Sequence, residues 1–245
     1  MSSIPFDPSK FTAPKAKPLP VIPLLDVSGS MSGEKIRNLN AAVRDMLDDF
    51  SDTENSEIEI WVSIITFGSR VTLHQPLASA GDILWQELSA SGTTPLGVAL
   101  EMAKAMIEDK AVVPSRAYRP TVVLVSDGQP DSGWERPLND FIREGRSGKC
   151  DRMAMAIGAD ADEAVLGKFI EGASNPLFYA ENAGQLRDCF KYVTMSVAAR
   201  TKSQTPNVVP AASVIDIKPA TIEVRREKPK PVVQKSPDAD DGGYW

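Results

Sequence analysis

Three short polar segments of this chain each set oxygen-bearing side chains beside an apolar run. In Asp26-Val27-Ser28-Gly29-Ser30 a carboxylate and two hydroxyls fall on alternate residues, so all three can project the same way. Gly29 leaves the backbone free to curl around whatever they hold. Ser91-Gly92-Thr93-Thr94-Pro95-Leu96-Gly97 is a second, hydroxyl-rich segment, and Asp127-Gly128 is the third. Hard oxygen donors of this kind suit Mg²⁺, which takes six oxygens in an octahedron and usually keeps several as water; Mn²⁺ or Ca²⁺ would accept the same donors. Two carboxylates among neutral hydroxyls leave a divalent ion electrophilic, with a position open to an acidic group from outside. That is a device for binding.

The alternative is a metal-assisted hydrolase acting on phosphate or peptide. It lacks a general base, because both aspartates are committed to the ion. The sole histidine, His74, falls in a β-prone segment with no triad partner in its vicinity, and reads as a strand residue at a sheet edge. Gly29-Ser30-Met31-Ser32-Gly33-Glu34-Lys35 departs from a phosphate loop in its glycine spacing and in having Glu34 where the lysine belongs. It also lacks the Gly-x-Ser-x-Gly of a nucleophile elbow, since Met31 holds the middle position. Ser28 stands where a haloacid-type phosphatase carries its second carboxylate. The expectation is therefore a protein that is not an enzyme.

The elements that must carry these loops follow from the periodicity. Leu19 to Leu25 is an apolar strand leading into Asp26, and Ile36, Leu39, Val43, Met46, Leu47 and Phe50 form one helical face after it. Ile58 to Phe67 and Val71 to His74 flank the two-residue turn Gly68-Ser69, which can join only antiparallel strands. Leu96, Leu100, Ala103 and Ile107 mark a helix, with Pro95 in its first turn, where a missing N–H costs nothing. Thr121 to Ser126 is a run buried on both sides that ends at Asp127. Helices near Trp134–Arg146 and Ala161–Glu171, strands at Arg152–Ile157 and Leu177–Ala180, and a last helix through Leu186, Phe190, Val193 and Val197 complete the pattern. The predicted class is α/β: a Rossmann-like open, mostly parallel sheet with one antiparallel edge strand and helices on both faces. Ligands of such sheets bind beyond the carboxyl ends of the strands, where Asp26 and Asp127 both fall.

Asp26-Val27-Ser28-Gly29-Ser30 resembles the Asp-x-Ser-x-Ser signature of the metal-ion-dependent adhesion site of von Willebrand factor A (VWA) domains, and the later threonine and aspartate resemble that site's other two loops. The resemblance covers roughly residues 19 to 200. Carried over, it implies a metal held by Asp26, Ser28, Ser30, Thr94 and Asp127, with hydroxyls in direct contact and aspartates often acting through water. Thr93 competes with Thr94, which is preferred because it immediately precedes Pro95. The resemblance further implies a protein partner that supplies Asp or Glu as the sixth ligand. Ser91–Gly97 and Val125–Pro130 look most like the TerY-like cytosolic VWA proteins of bacteria, a group associated with tellurium-resistance-type stress systems and with kinase and phosphatase partners.

The expected organisation is an extended lead-in over 1–19, the VWA domain over 20–201, and a flexible or partner-ordered tail over 202–245. Within the tail, Val214–Ile217 and Ile222–Val224 are strand-like, and Tyr244-Trp245 is a candidate anchor. A formal net charge of -6 gives no footprint for nucleic acid. No apolar run approaches the roughly 18 residues that a membrane span needs, and the N-terminus lacks a signal-peptide core, so a cytoplasmic protein is expected. Cys150 and Cys189 read as reduced, partly buried thiols, a bridge between them being the other possibility. Trp61, Trp85 and Trp134 read as packing residues, Trp134 being near enough to the site to flank a bound partner.

Overall fold

The central strands are continuous apolar runs because both of their faces are covered. The computed structural model describes residues 16–53 and 58–208. Strand β1 (Lys17–Asp26) starts before the apolar run and includes Asp26 as its last residue. It is followed by α1 (Glu34–Thr53), β2 (Ile58–Phe67) and β3 (Val71–Ser79). Then come α2 (Leu96–Glu108), β4 (Thr121–Ser126), α3 (Glu135–Arg143) and β5 (Asp151–Ile157). The series ends with α4 (Glu163–Phe169), β6 (Leu177–Ala180) and α5 (Ala183–Thr201). Strand β3 runs five residues past His74, and α3 and α4 are shorter than their periodicity suggests, as element ends usually are. The lead-in before Ala16 and the tail segments at Val214–Ile217, Ile222–Val224 and Tyr244-Trp245 lie outside the described residues.

The strands form one sheet in the order β3-β2-β1-β4-β5-β6. All neighbours are parallel except β2 and β3, which pair antiparallel across the three-residue connection Gly68-Ser69-Arg70, one residue longer than the turn read from the sequence. The predicted architecture is the observed one. Odd-numbered residues of β4 (Val123, Val125) pack with α1 and α5 on one face, and even-numbered ones (Val122, Leu124) pack with α2, α3 and α4 on the other. Helices switch faces because the chain winds outward one way from β1 through β2 and the other way from β4 through β6, each crossover keeping its right-handed sense. The reversal falls between β1 and β4, the point at which open sheets of this kind bind ligands beyond the carboxyl ends of their strands.

Cys189 lies on the α1/α5 face and Cys150 on the opposite one, so the sheet separates them. Both are free thiols, and burial pushes each up to about 12. Neither is poised as a nucleophile.

The far end of the sheet is closed by Arg200, which is fully buried. Its guanidinium donates from Nη1 to Thr121 Oγ1 at 2.8 Å, from Nη2 to the Arg119 carbonyl, and from Nε to the Pro206 carbonyl at 2.7 Å. Burial lowers its pKa to about 10, partly offset by the Asp151 carboxylate. Nearby, Arg116 Nη1 donates to the Ala16 carbonyl at 3.1 Å and the Arg119 amide donates to Asn207 Oδ1 at 2.8 Å. The start of β1 and the segment after α5 therefore sit on either side of residues 116–119.

Candidate functional site

Asp26 and Asp127 straddle the reversal point. Asp26 closes β1 opposite Phe67 of β2, and Asp127 follows Ser126 at the end of β4, the neighbour of β1 on its other side. Both are buried, at 0% and 1% exposure. A buried carboxylate demands partners, and Asp26 has two: its Oδ1 accepts the Ser28 amide at 2.9 Å and its Oδ2 accepts Ser126 Oγ at 2.6 Å. Burial raises the pKa of Asp26, the bonds from Ser126 and Ser28 lower it, and the charge of Asp127 raises it again.

Ser28 and Ser30 reach one another through a single 3₁₀ turn over Gly29–Met31. The alternation expected from their spacing is replaced by this turn, which sets the two hydroxyls 2.9 Å apart. Ser30 Oγ donates onward to Asp127 Oδ1 at 2.7 Å, and Lys35 Nζ, at the start of α1, pairs with Asp127 Oδ2. Gly29 is not in the left-handed region, and a Cβ there would meet only the Gly92 carbonyl at an ordinary 3.5 Å. The conformational demand falls on Gly92 instead. Its φ is 84°, and a Cβ there would lie 2.3 Å from the Ser69 backbone. Only glycine fits.

The second loop is tied to the first by the backbone. The Gly29 amide donates to the Gly92 carbonyl at 2.9 Å, and the Ser91 amide to the Val27 carbonyl at 2.7 Å. The irregular segment before it is held on α1 by Asn40, which exchanges two hydrogen bonds with the Leu88 backbone at 3.0 and 2.7 Å. Pro95 is the N-cap residue of α2, one position ahead of its expected place in the first turn. The two adjacent threonines differ. Thr93 Oγ1 donates to Asp131 Oδ2 at 2.7 Å, whereas the hydroxyl of Thr94, a residue only 7% exposed, makes no hydrogen bond among the described residues.

Asp26, Ser28, Ser30 and Asp127 thus share one connected cluster, and Thr94 sits on the loop fastened to it. Among the described residues no three His, Cys, Asp or Glu side chains converge on a common centre. A cation here would have to draw much of its coordination from hydroxyls, which fits a hard ion and not a soft one. Sequence reading missed Ser126, Lys35, Asp131 and Asn40. Ser126 was detectable as the polar close of an apolar run; the other three act across loops that only the fold brings together.

His74 lies far along the edge strand, its Nε2 3.0 Å from the Gln86 carbonyl and its ring edge-on to Trp85. Trp134 is half-buried against the α2–α4 face, with Lys168 Nζ 5.5 Å from its ring centroid. No helix among the described residues is long and apolar enough to cross a membrane.

A family model for the von Willebrand factor type A domain matches residues 21–191. Among curated proteins, the chain is 26% identical over 241 residues to bovine (Bos taurus) inter-alpha-trypsin inhibitor heavy chain H4, covering 78% of this chain and 26% of that one. The human (Homo sapiens) protein of the same name is 26% identical over 243 residues, covering 79% and 25%. The chain thus spans about a quarter of the length of these relatives. Among solved structures, a von Willebrand factor type A protein from Catenulispora acidiphila superposes with a TM-score of 0.59 at 17% identity, covering 74% of this chain and 43% of that one. The pilus adhesin SpaC of Lactobacillus rhamnosus GG, in its open conformation, does so at 0.60 and 15%, covering 77% and 31%.

Proposed function

The chain belongs to the von Willebrand factor type A domain family, and from that premise we propose that it is a non-enzymatic interaction module in which a divalent cation captures a partner's acidic side chain. The reading rests above all on one observation: two buried carboxylates and two linked hydroxyls meet at the reversal point of the sheet, and the loop fastened to them carries Thr94, whose hydroxyl is unengaged among the described residues. Asp26, Ser28, Ser30, Thr94 and Asp127 would hold the ion, Mg²⁺ by preference with Mn²⁺ or Ca²⁺ as substitutes. When bound, the ion supplies an electrophilic position for a carboxylate from outside. This chain's own residues present the donors and bury the two aspartates.

We further propose a cytoplasmic setting in a stress-response or signalling complex, with a kinase or phosphatase as the partner class. That narrower reading rests on the likeness of Ser91–Gly97 and Val125–Pro130 to the TerY-like proteins, not on the curated relatives.

The test is a Mn²⁺ titration followed by electron paramagnetic resonance, with Mg²⁺ and Ca²⁺ as competitors. Saturable binding of one equivalent supports the site, and no binding at millimolar Mn²⁺ overturns it. Lys35 gives a second, signed expectation. Its ammonium already neutralises part of Asp127, so it competes with any added cation. Lys35→Met is expected to tighten Mn²⁺ binding roughly tenfold, the order expected when one nearby positive charge is removed from beside a divalent ion in a water-like dielectric. Unchanged or weaker binding by that variant would show that Lys35 does not oppose the ion.

A further inference from the structure

Two neighbouring threonines, Thr93 and Thr94, sit at the mouth of α2, and nothing in their identity says which should face the site. What separates them is a third aspartate. Asp131, four residues beyond Asp127, accepts Thr93 Oγ1 on Oδ2 at 2.7 Å and the Thr94 amide on Oδ1 at 3.3 Å. Its own amide donates to the Thr94 carbonyl at 2.9 Å. The carboxylate thus grips the Thr93–Thr94 step from both sides. It takes up one hydroxyl and leaves the other free.

We infer that Asp131 is a positioning residue that selects Thr94 over Thr93 as the hydroxyl offered by the second loop, and that it locks this loop to the third. The inference rests on the metal-site reading above. The bonds make a closed ring. Loop one is joined to loop two by Gly29 and Gly92 and by Ser91 and Val27; loop two is joined to loop three by Asp131; loop three is joined back to loop one by Ser30 and Asp127. Among the described residues, only the Asp131 link binds the second loop to the third through side-chain oxygens. Without it, the Thr93 hydroxyl is released, the Thr94 amide loses its acceptor, and the loop ahead of α2 can turn either threonine inward.

Asp131 lies outside the connected cluster of Asp26, Ser28, Ser30 and Asp127: its two oxygens bond Thr93 and Thr94 instead. This separates a clamp from a ligand. Asparagine at this position keeps an oxygen for the Thr94 amide and offers an N–H to the Thr93 hydroxyl, so it preserves the clamp and removes the charge. Alanine removes the charge and both side-chain bonds, leaving only the backbone bond to the Thr94 carbonyl. Residues that orient metal ligands are typically worth about 10–100-fold in metal affinity.

The experiment measures Mn²⁺ affinity by paramagnetic resonance for the full chain, Asp131→Asn, Asp131→Ala, Thr94→Val and the double variant Asp131→Ala/Thr94→Val, with thermal midpoints to confirm folding. Asp131→Ala is expected to bind Mn²⁺ about tenfold or more weakly, and Asp131→Asn to stay within about threefold of the wild type, because the geometry survives. Thr94→Val should cost less in the Asp131→Ala background than in the wild type, because Thr93 is then free to substitute. Equal losses for asparagine and alanine would show that Asp131 acts by charge or as a ligand, and would overturn the clamp. So would an Asp131→Ala variant that binds as tightly as wild type, or strictly additive losses in the double variant. If the wild-type chain itself binds no Mn²⁺, the failure lies with the metal site, and the thermal midpoints alone then show whether Asp131 fastens the loops.

Discussion

Asp26→Asn is expected to abolish all stabilisation of this protein by divalent metal while leaving its metal-free melting midpoint within about 2 °C of wild type. The asparagine oxygen can still accept the Ser28 amide, and the amide nitrogen can donate to Ser126 Oγ, so both bonds to the buried side chain survive. What is lost is one of two negative charges facing the candidate ion. A ligand that binds only the folded state stabilises it by about 2.7 kcal/mol at 100 times its Kd. In a domain of this size that is a rise of roughly 5–11 °C in the thermal midpoint. The wild type should show such a rise with Mg²⁺ or Mn²⁺ and the variant should show none, as read by differential scanning fluorimetry. A variant that still shifts with metal would remove Asp26 from the site.

The second large effect lies at the opposite end of the sheet. Arg200→Ala is expected to cost on the order of 3 kcal/mol, because it opens a cavity and strips donors from the Thr121 hydroxyl and the Arg119 and Pro206 carbonyls at once. The thermal midpoint should fall by roughly 6–12 °C. Arg200→Met refills most of the stem volume without restoring the hydrogen bonds, so it isolates their share. It should fall between alanine and wild type. If the methionine protein melts like wild type, the guanidinium contributes no net stability, as some buried charges do not. Metal affinity per folded molecule should be unchanged in both, since the cluster at Asp26 and Asp127 lies beyond the other end of the strands.

The sheet was legible because its parallel strands are largely apolar runs and helices separate all the strands but β2 and β3. The α1 face predicted from Ile36 through Phe50 is buried in full. The antiparallel edge pair was legible from the short connection after Phe67, and the end of the sheet that carries the site from the carboxylates at two strand ends; the order of the strands came only with the structure. The donor set was legible as residue types, but its geometry was not. Ser28 and Ser30 meet through a 3₁₀ turn, which a five-residue motif with one glycine does not announce. The glycine that matters conformationally is Gly92, and its constraint comes from Ser69, a residue 23 positions away. Lys35 and Asp131 escaped for the same reason: each acts on a side chain that reaches it only through the folded sheet, 92 residues away for Lys35 and Asp127, and 38 for Asp131 and Thr93.

Both flanks of the described domain emerge at the pole opposite the candidate site, bracketing residues 116–119. A domain entered and left at one place can be spliced into a loop of a longer chain without disturbing either partner of the splice. It also has a mechanical sense. A pull between something held at Asp26 and the flanking chain at Lys17 runs lengthwise down β1, which is laddered to β2 on one side and β4 on the other. Those two rows of hydrogen bonds are loaded in shear, so they must yield together instead of opening one bond at a time.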